Sequence, residues 1–182
     1  MDDVIIDRLS DVFRSHGYEG ASLSKLSEAT GLQRASLYYR FPGGKKEMAE
    51  AVLAQIDSRI ATQILDPLRA PGCPSERVQG LVDGLKALYQ NGHASCLLDA
   101  LSLGEGQNLF GPLIAGAFEA WIDALASVAA DSGHDSATAK RLAEEVIISI
   151  QGALVLARGR NTNAPFIRVL ENLPRNLLAE TT

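Results

Sequence analysis

The sequence predicts an all-α protein of about nine helices, and three observations carry that expectation. Apolar residues recur at three- and four-residue intervals along most of the chain, the spacing that lines one face of a helix. No segment alternates apolar with polar residues as a half-buried strand does. Ala and Leu dominate while aromatic residues supply only 5%, a composition that favours helix.

The elements follow in order. Val4–Ile5–Ile6, Leu9 and Val12–Phe13 repeat at helical spacing, with Gly17 as a stop. Ser22 is placed to cap a short second helix holding Leu23, Leu26 and Ala29, which Gly31 ends. A third spans Arg34 to Arg40, and Pro42–Gly43–Gly44 breaks it. A long fourth carries Met48, Val52, Leu53, Ile56, Ile60 and Ile64 on one stripe until Pro67, before the linker RAPGCPS. Val78, Leu81, Val82, Leu85 and Leu88–Tyr89 mark a fifth, stopped by Asn91–Gly92, and Cys96 to Leu103 a short sixth. Pro112 suits the first turn of a seventh with Ile114, Phe118, Trp121, Leu125 and Val128. After the turn SGHDS, Ser136 or Asp135 caps an eighth with Leu142, Val146, Ile147, Ile150 and Leu154. A ninth follows Pro165, and Pro174 is expected to kink or break it.

Composition narrows the function. A chain of 182 residues with 46% hydrophobic content builds a real core. Its apolar runs read as too short and too interrupted by charge to span a bilayer, and the acidic start MDDVIIDRLSDVF does not resemble a secretory signal. The expected compartment is cytoplasmic. Cys73 and Cys96 stand at no metal-ligand spacing and read as free thiols, so neither a metal nor another cofactor is expected. The net charge of −5 is unevenly spread. Residues 14–46 carry six basic against two acidic side chains, whereas the segments on either side are acidic. A local basic face on an acidic body suits a reader of double-stranded DNA that must not bind everywhere.

That basic stretch is also where the helices are shortest. Two short helices joined by a glycine turn describe a helix-turn-helix, whose second helix enters the major groove. Leu37 and Phe41 share one face and can dock onto Leu26, leaving Ala35 and Tyr39 outward, flanked by Arg34, Ser36 and Tyr38. Ala35 lets the backbone approach base edges, Arg34 can pair with guanine and Gln33 with adenine. Ser36, Tyr38 and Tyr39 can donate to phosphates. Lys45 and Lys46 open the next helix, where free backbone N–H groups also favour an anion, so both are candidate phosphate clamps.

The run F-x-x-x-G-Y from Phe13 to Tyr18, the small-residue helix from Leu26 to Thr30, Gly31–Leu32, and Leu37–Tyr38–Tyr39–Arg40–Phe41–Pro42 together resemble the N-terminal domain of the TetR/AcrR family of transcriptional regulators. The resemblance covers residues 3–53. Ser27 stands where that family usually has Ala, and Gln33 where it often has Ser or Thr. The loop PGGKK is one residue longer than the common version, which leaves open which lysine meets phosphate. The P-G-G-K loop, A-S-C-L-L around Cys96 and Q-G-A-L-V-L-A at 151–157 are similar to the subgroup of LmrA/YxaF-like repressors.

The resemblance implies a DNA-binding domain over residues 1–47 and a ligand-binding and dimerisation domain over 48–182. A single recognition helix reads only a half-site, so a homodimer on a palindromic operator is expected. Ile147, Ile150, Leu154, Phe166, Ile167 and Leu170 are the candidate dimer residues. Tyr89, Cys96, Leu101, Phe110, Phe118, Trp121 and Gln151 are candidates for lining a small-molecule effector pocket, with His93 as a further polar contact. The expected activity is that of a repressor released by a small apolar or aromatic molecule. The alternative is a DNA-binding dimer whose larger domain is only a dimerisation or protein-partner platform. An enzyme is not expected: His16, His93 and His134 are scattered, and no nucleophile has a recognisable base near it in sequence.

Overall fold

A computed structural model describes residues 2–179, and every regular element among them is helical. The first is α1 (Asp2–Gly20), which buries Ile5, Leu9, Val12 and Phe13. It does not stop at Gly17 but is interrupted there, with φ 64° and ψ −176°. Glycine is favoured at this point on two counts. The φ is positive, and a Cβ would meet the carbonyl oxygen of Ala100 at 3.2 Å.

α2 (Leu23–Thr30) starts at Ser22, whose hydroxyl accepts from the N–H of Lys25, and ends at Gly31 in the left-handed region. α3 (Arg34–Arg40) follows directly. α4 (Lys45–Ile60) does not end at Pro67: a π-helical turn, Ala61–Leu65, passes into the α-helical turn Asp66–Arg69. The wider turn accommodates a residue that has no N–H to give. α5 (Pro74–Leu88) lies against that turn at Gly84, where a Cβ would collide with the backbone carbonyl of Gln63.

After a 3-10 turn, Gln90–Gly92, comes the short α6 (Leu97–Leu101), packed on α1. α7 (Glu105–Asp131) begins seven residues before Pro112, which therefore sits inside the helix. The early start has a non-local cause. The Glu19 carboxylate accepts the Glu105 N–H at 2.9 Å, satisfying a first-turn donor and favouring the positive helix end.

α7 corrects one expectation, for it is long and apolar enough to cross a membrane by length and composition. Two exposed carboxylates near its middle, Glu119 and Asp123, oppose such a span, since an ionised acid at the bilayer centre costs about 2.5–3.5 kcal/mol.

α8 (Ser136–Arg160) is capped by Asp135 and ends at Asn161, in the left-handed region. α9 (Ala164–Leu177) packs along α8 and continues unbroken through Pro174. Pro174 lies one turn from the end, so the bond it cannot donate is lost where only three more helical residues follow.

The helices gather into two compact units that do not follow chain order. One comprises Met1–Ser58 with Cys96–Ile114, the other Arg59–Ser95 with Ala115–Thr182. Packing thus divides α4 after Ser58 rather than the chain at residue 47, and recruits α6 and the start of α7 to the first unit. In the second, Arg77 ties Leu68 to Asp131 through hydrogen bonds from its Nε and Nη1.

Candidate nucleic-acid interface

The first three helices present the polar ridge that the sequence led us to expect. Leu37 is fully buried and Phe41 half-buried, so they hold α3 from behind, beside buried Leu26. Gln33, Arg34, Ala35, Ser36, Tyr38 and Tyr39 are all exposed, Tyr39 to 89%. An isolated tyrosine ring held that far out of the core gains nothing from folding, whereas it can meet a base edge or phosphate. Gln33 occupies the N-cap position of α3 but its side chain does not cap, so the amide remains free for a ligand.

The turn between α2 and α3 is fastened by side chains. The Ser27 hydroxyl donates to the Leu32 carbonyl at 2.5 Å, and the Leu32 N–H donates to Thr30 Oγ1 at 3.4 Å. From α1, Arg8 Nη1 donates to the Thr30 carbonyl at 3.1 Å. Arg34 is steadied by Ser24, whose hydroxyl accepts from Nη2 at 2.5 Å. The sequence pattern does not reveal what either serine does, because a hydroxyl that bonds five or ten residues away leaves no periodic trace.

The two candidate phosphate lysines differ. Lys46 is exposed and faces Glu50 at 3.6 Å, a weak surface pair within one helix. Lys45 is half-buried, with its ammonium 4.2 Å from the centroid of the Tyr18 ring. Glu47 also bears on this helix start: its carboxylate accepts the Gly43 N–H at 2.6 Å.

The residues expected to form one effector pocket fall into both units. Cys96, Leu101 and Phe110 lie in the first, all buried. Phe110 meets Tyr18 edge-on, so its ring fills core rather than an open chamber. Tyr89, Phe118, Trp121 and Gln151 lie in the second. Tyr89 is buried edge-on against Phe166, while Phe118 and Gln151 are half-buried. Trp121 Nε1 and Gln151 Nε2 are buried donors with no hydrogen-bond partner among the described residues. His93 is exposed, and neither cysteine is in a disulfide, Cys73 being exposed and Cys96 buried.

The expected dimer residues lie mostly inside the chain's own packing. Ile147, Ile150, Leu154, Phe166 and Leu170 are buried within the single chain, and Ile167 is half-buried. Their surface is spent on packing inside the chain. Exposed apolar surface lies instead on another face of α8, at Ile148 (68%), Val155 (51%) and Leu156 (52%). Gly152 and Gly159 join this stripe, and a Cβ on either would meet nothing within 4 Å. The positions 148, 152, 155, 156 and 159 follow helical periodicity, so a second apolar stripe was there to be found in the sequence.

Comparison with known proteins agrees with this geometry. Residues 5–52 match the model of bacterial regulatory proteins of the tetR family, and residues 74–172 that of the C-terminal domain of LmrA/YxaF-like transcriptional regulators. The HTH-type transcriptional regulator LmrA of Bacillus subtilis is 25% identical over 93% of this chain and 93% of that protein. The HTH-type regulator Rv0196 of Mycobacterium tuberculosis is 28% identical over 93% and 90%.

Among solved structures, a TetR transcriptional regulator from Legionella pneumophila superposes with a TM-score of 0.79 at 24% identity, covering 97% of both chains. The TetR family regulator CifR, as a cysteine mutant complexed with 26-bp double-strand operator DNA, gives 0.75 at 25% identity, covering 97% of this chain and 95% of that one. These relatives are regulators of transcription, not enzymes. With its helix-turn-helix matched at one end and most of the remainder matched at the other, the chain belongs to the TetR family of DNA-binding transcriptional regulators and carries a C-terminal domain of the LmrA/YxaF-like type.

Proposed function

We propose that the protein is a dimeric, ligand-responsive repressor acting in the cytoplasm, released from a palindromic operator by a small apolar or aromatic molecule. The observation that carries the reading is the outward ridge of α3, with fully buried Leu37 behind fully presented Tyr39. In this reading residues 1–47 bind DNA and residues 48–182 sense and dimerise. Gln33, Arg34, Ala35 and Tyr39 contact base edges, Ser36 and Tyr38 phosphates, and a lysine at the start of α4 meets a phosphate.

Dimerisation is supported by the α8 stripe. Ile148, Val155 and Leu156 offer more contiguous apolar surface than scattered exposure gives, and the two glycines let a partner helix approach closely. An effector is supported by the orphaned donors. A buried N–H without an acceptor costs about 1–3 kcal/mol, which a bound molecule with an acceptor oxygen removes. The effector is therefore an apolar or aromatic molecule bearing a hydrogen-bond acceptor. If it binds more tightly to the conformer that fits DNA poorly, operator affinity falls by the same factor, typically roughly 5–150-fold.

The platform alternative draws on Tyr89, whose packing against Phe166 fills space that a chamber would need. Operator binding and its release by candidate acceptor-bearing aromatics, read by fluorescence anisotropy, test the proposal. Thermal shift against the same molecules separates sensor from platform, because a ligand of the native state raises stability.

A further inference from the structure

Resting on the DNA-binding reading above, we propose that Tyr18 and Lys45 form a positioning pair that sets the pose of the recognition helix, and that Lys46 alone of the two lysines meets phosphate. The ring of Tyr18 is held on several sides within the first unit. Phe13 stacks on it at 6.3 Å with 6° between planes, and Phe110 meets it edge-on at 5.5 Å and 77°. A ring fixed in this way is a rigid platform. The Lys45 ammonium lies over it at 4.2 Å, well within the distance at which a cation is drawn to an aromatic face.

Burial, and after it the Glu105 and Glu50 carboxylates, push the Tyr18 phenol above its ordinary range. The ring therefore stays neutral under working conditions, and Lys45 meets an aromatic quadrupole.

The pair bears directly on α3. Lys45 is the first residue of α4, and Gly44 before it is buried with φ 67°. A Cβ on Gly44 would meet the Tyr38 ring at 3.3 Å, so the turn packs tightly against a residue of the recognition helix. Tyr18 of α1 thus holds Lys45 of α4, and the adjoining turn holds Tyr38 of α3. A lysine engaged there has its charge directed at the ring. Lys46, one residue on, keeps its charge at the surface, where it faces Glu50.

The test uses the full chain and a fluorescein-labelled duplex selected by that chain from a random-sequence library, titrated between low and moderate KCl. Lys45→Gln and Tyr18→Leu are expected to weaken binding roughly 3–30-fold while leaving the slope of log affinity against log salt unchanged. Tyr18→Phe and Lys45→Arg retain a ring and a cation and are expected to recover the affinity. Lys46→Gln is expected to lower the slope by about 0.9 for each phosphate left without its cation, about 1.8 for a dimer.

A Lys45→Gln slope reduced as in Lys46→Gln overturns the proposal, as does a Tyr18→Phe defect equal to that of Tyr18→Leu. Should Tyr18→Leu fail to fold, the Lys45→Gln and Lys45→Arg pair decides alone, since both alter a half-exposed side chain. Failure of the wild-type chain to select any duplex is a different result, and it removes the DNA-binding reading itself.

Discussion

The Ser27 hydroxyl donates to the Leu32 carbonyl at 2.5 Å, closing the turn of the helix-turn-helix with a bond that an alanine could not make. The same leucine is held on its other side through its N–H and Thr30. Both groups of one peptide residue are thus fixed immediately before Gln33 and Arg34, the first residues of the ridge. Ser27→Ala is expected to cost about 0.5–1.5 kcal/mol of stability, the net value of such a bond. It should also weaken DNA binding by loosening the turn. Urea unfolding and anisotropy on the same variant check the two effects, and Ser27→Thr should recover part of each.

Arg34 and Tyr39 should separate from Lys46 by what they change. Arg34→Ala or Tyr39→Ala is expected to lose about 1–3 kcal/mol of operator affinity and to relax base preference at one position in each half-site. Lys46→Ala should weaken all duplexes alike. Selection of random duplexes with each variant reads this directly. Ser24→Ala should produce a milder form of the Arg34 effect, because the guanidinium loses its hydroxyl partner but keeps its charge.

The face of α8 predicts its own disruption. Ile148→Glu is expected to convert the proposed dimer to a monomer with unchanged helical circular dichroism, because the side chain is 68% exposed in the single chain and supports no core. Gly152→Leu should do the same by holding the partner helix away. Analytical ultracentrifugation at micromolar concentration distinguishes the species. Ile150→Glu should instead unfold the protein, since Ile150 is buried inside the protomer.

Asp135 gives a pH signature. Its carboxylate accepts from the Thr138 hydroxyl at 2.7 Å and from the N–H groups of Ala137 and Thr138 at 3.1 Å each. The Thr138 hydroxyl foremost, with those backbone donors, holds the carboxyl below its ordinary range. A lowered folded value means that the cap stabilises the protein above the unfolded carboxylate pKa of about 3.9 and loses that contribution as pH falls through the folded value. The stability difference between wild type and Asp135→Asn should therefore be constant from about pH 7 to 5 and shrink below about pH 4. Urea titrations at stepped pH measure it.

Much of this architecture was legible before any coordinates, and what was not has definite causes. Ser22, Gly31 and Arg34–Arg40 were readable because caps and short amphipathic turns are local. The start of α7 was not, because the Glu105 N–H is satisfied by Glu19, far away in sequence. Pro67 misled because a π-turn absorbs it, and Pro174 because it falls where α9 is already ending. The outward ridge followed from the position of Leu37, whereas the contact of Lys45 with the Tyr18 ring joins residues far apart in sequence. Two apolar stripes share α8, and composition does not say that the one with Ile147 and Ile150 is buried within the chain while the one with Ile148 is exposed.

The ridge of α3 carries the functional reading, and one selection experiment reaches it most directly. Random-sequence duplexes are enriched on the full wild-type chain and, in parallel, on Tyr39→Ala. Wild type should recover an inverted repeat whose half-sites lie about one helical turn apart, or a multiple of it. Tyr39→Ala should recover the same spacing with one position in each half-site relaxed. Identical motifs from both proteins, or no motif from wild type, would contradict the central claim that the outward face of α3 reads DNA.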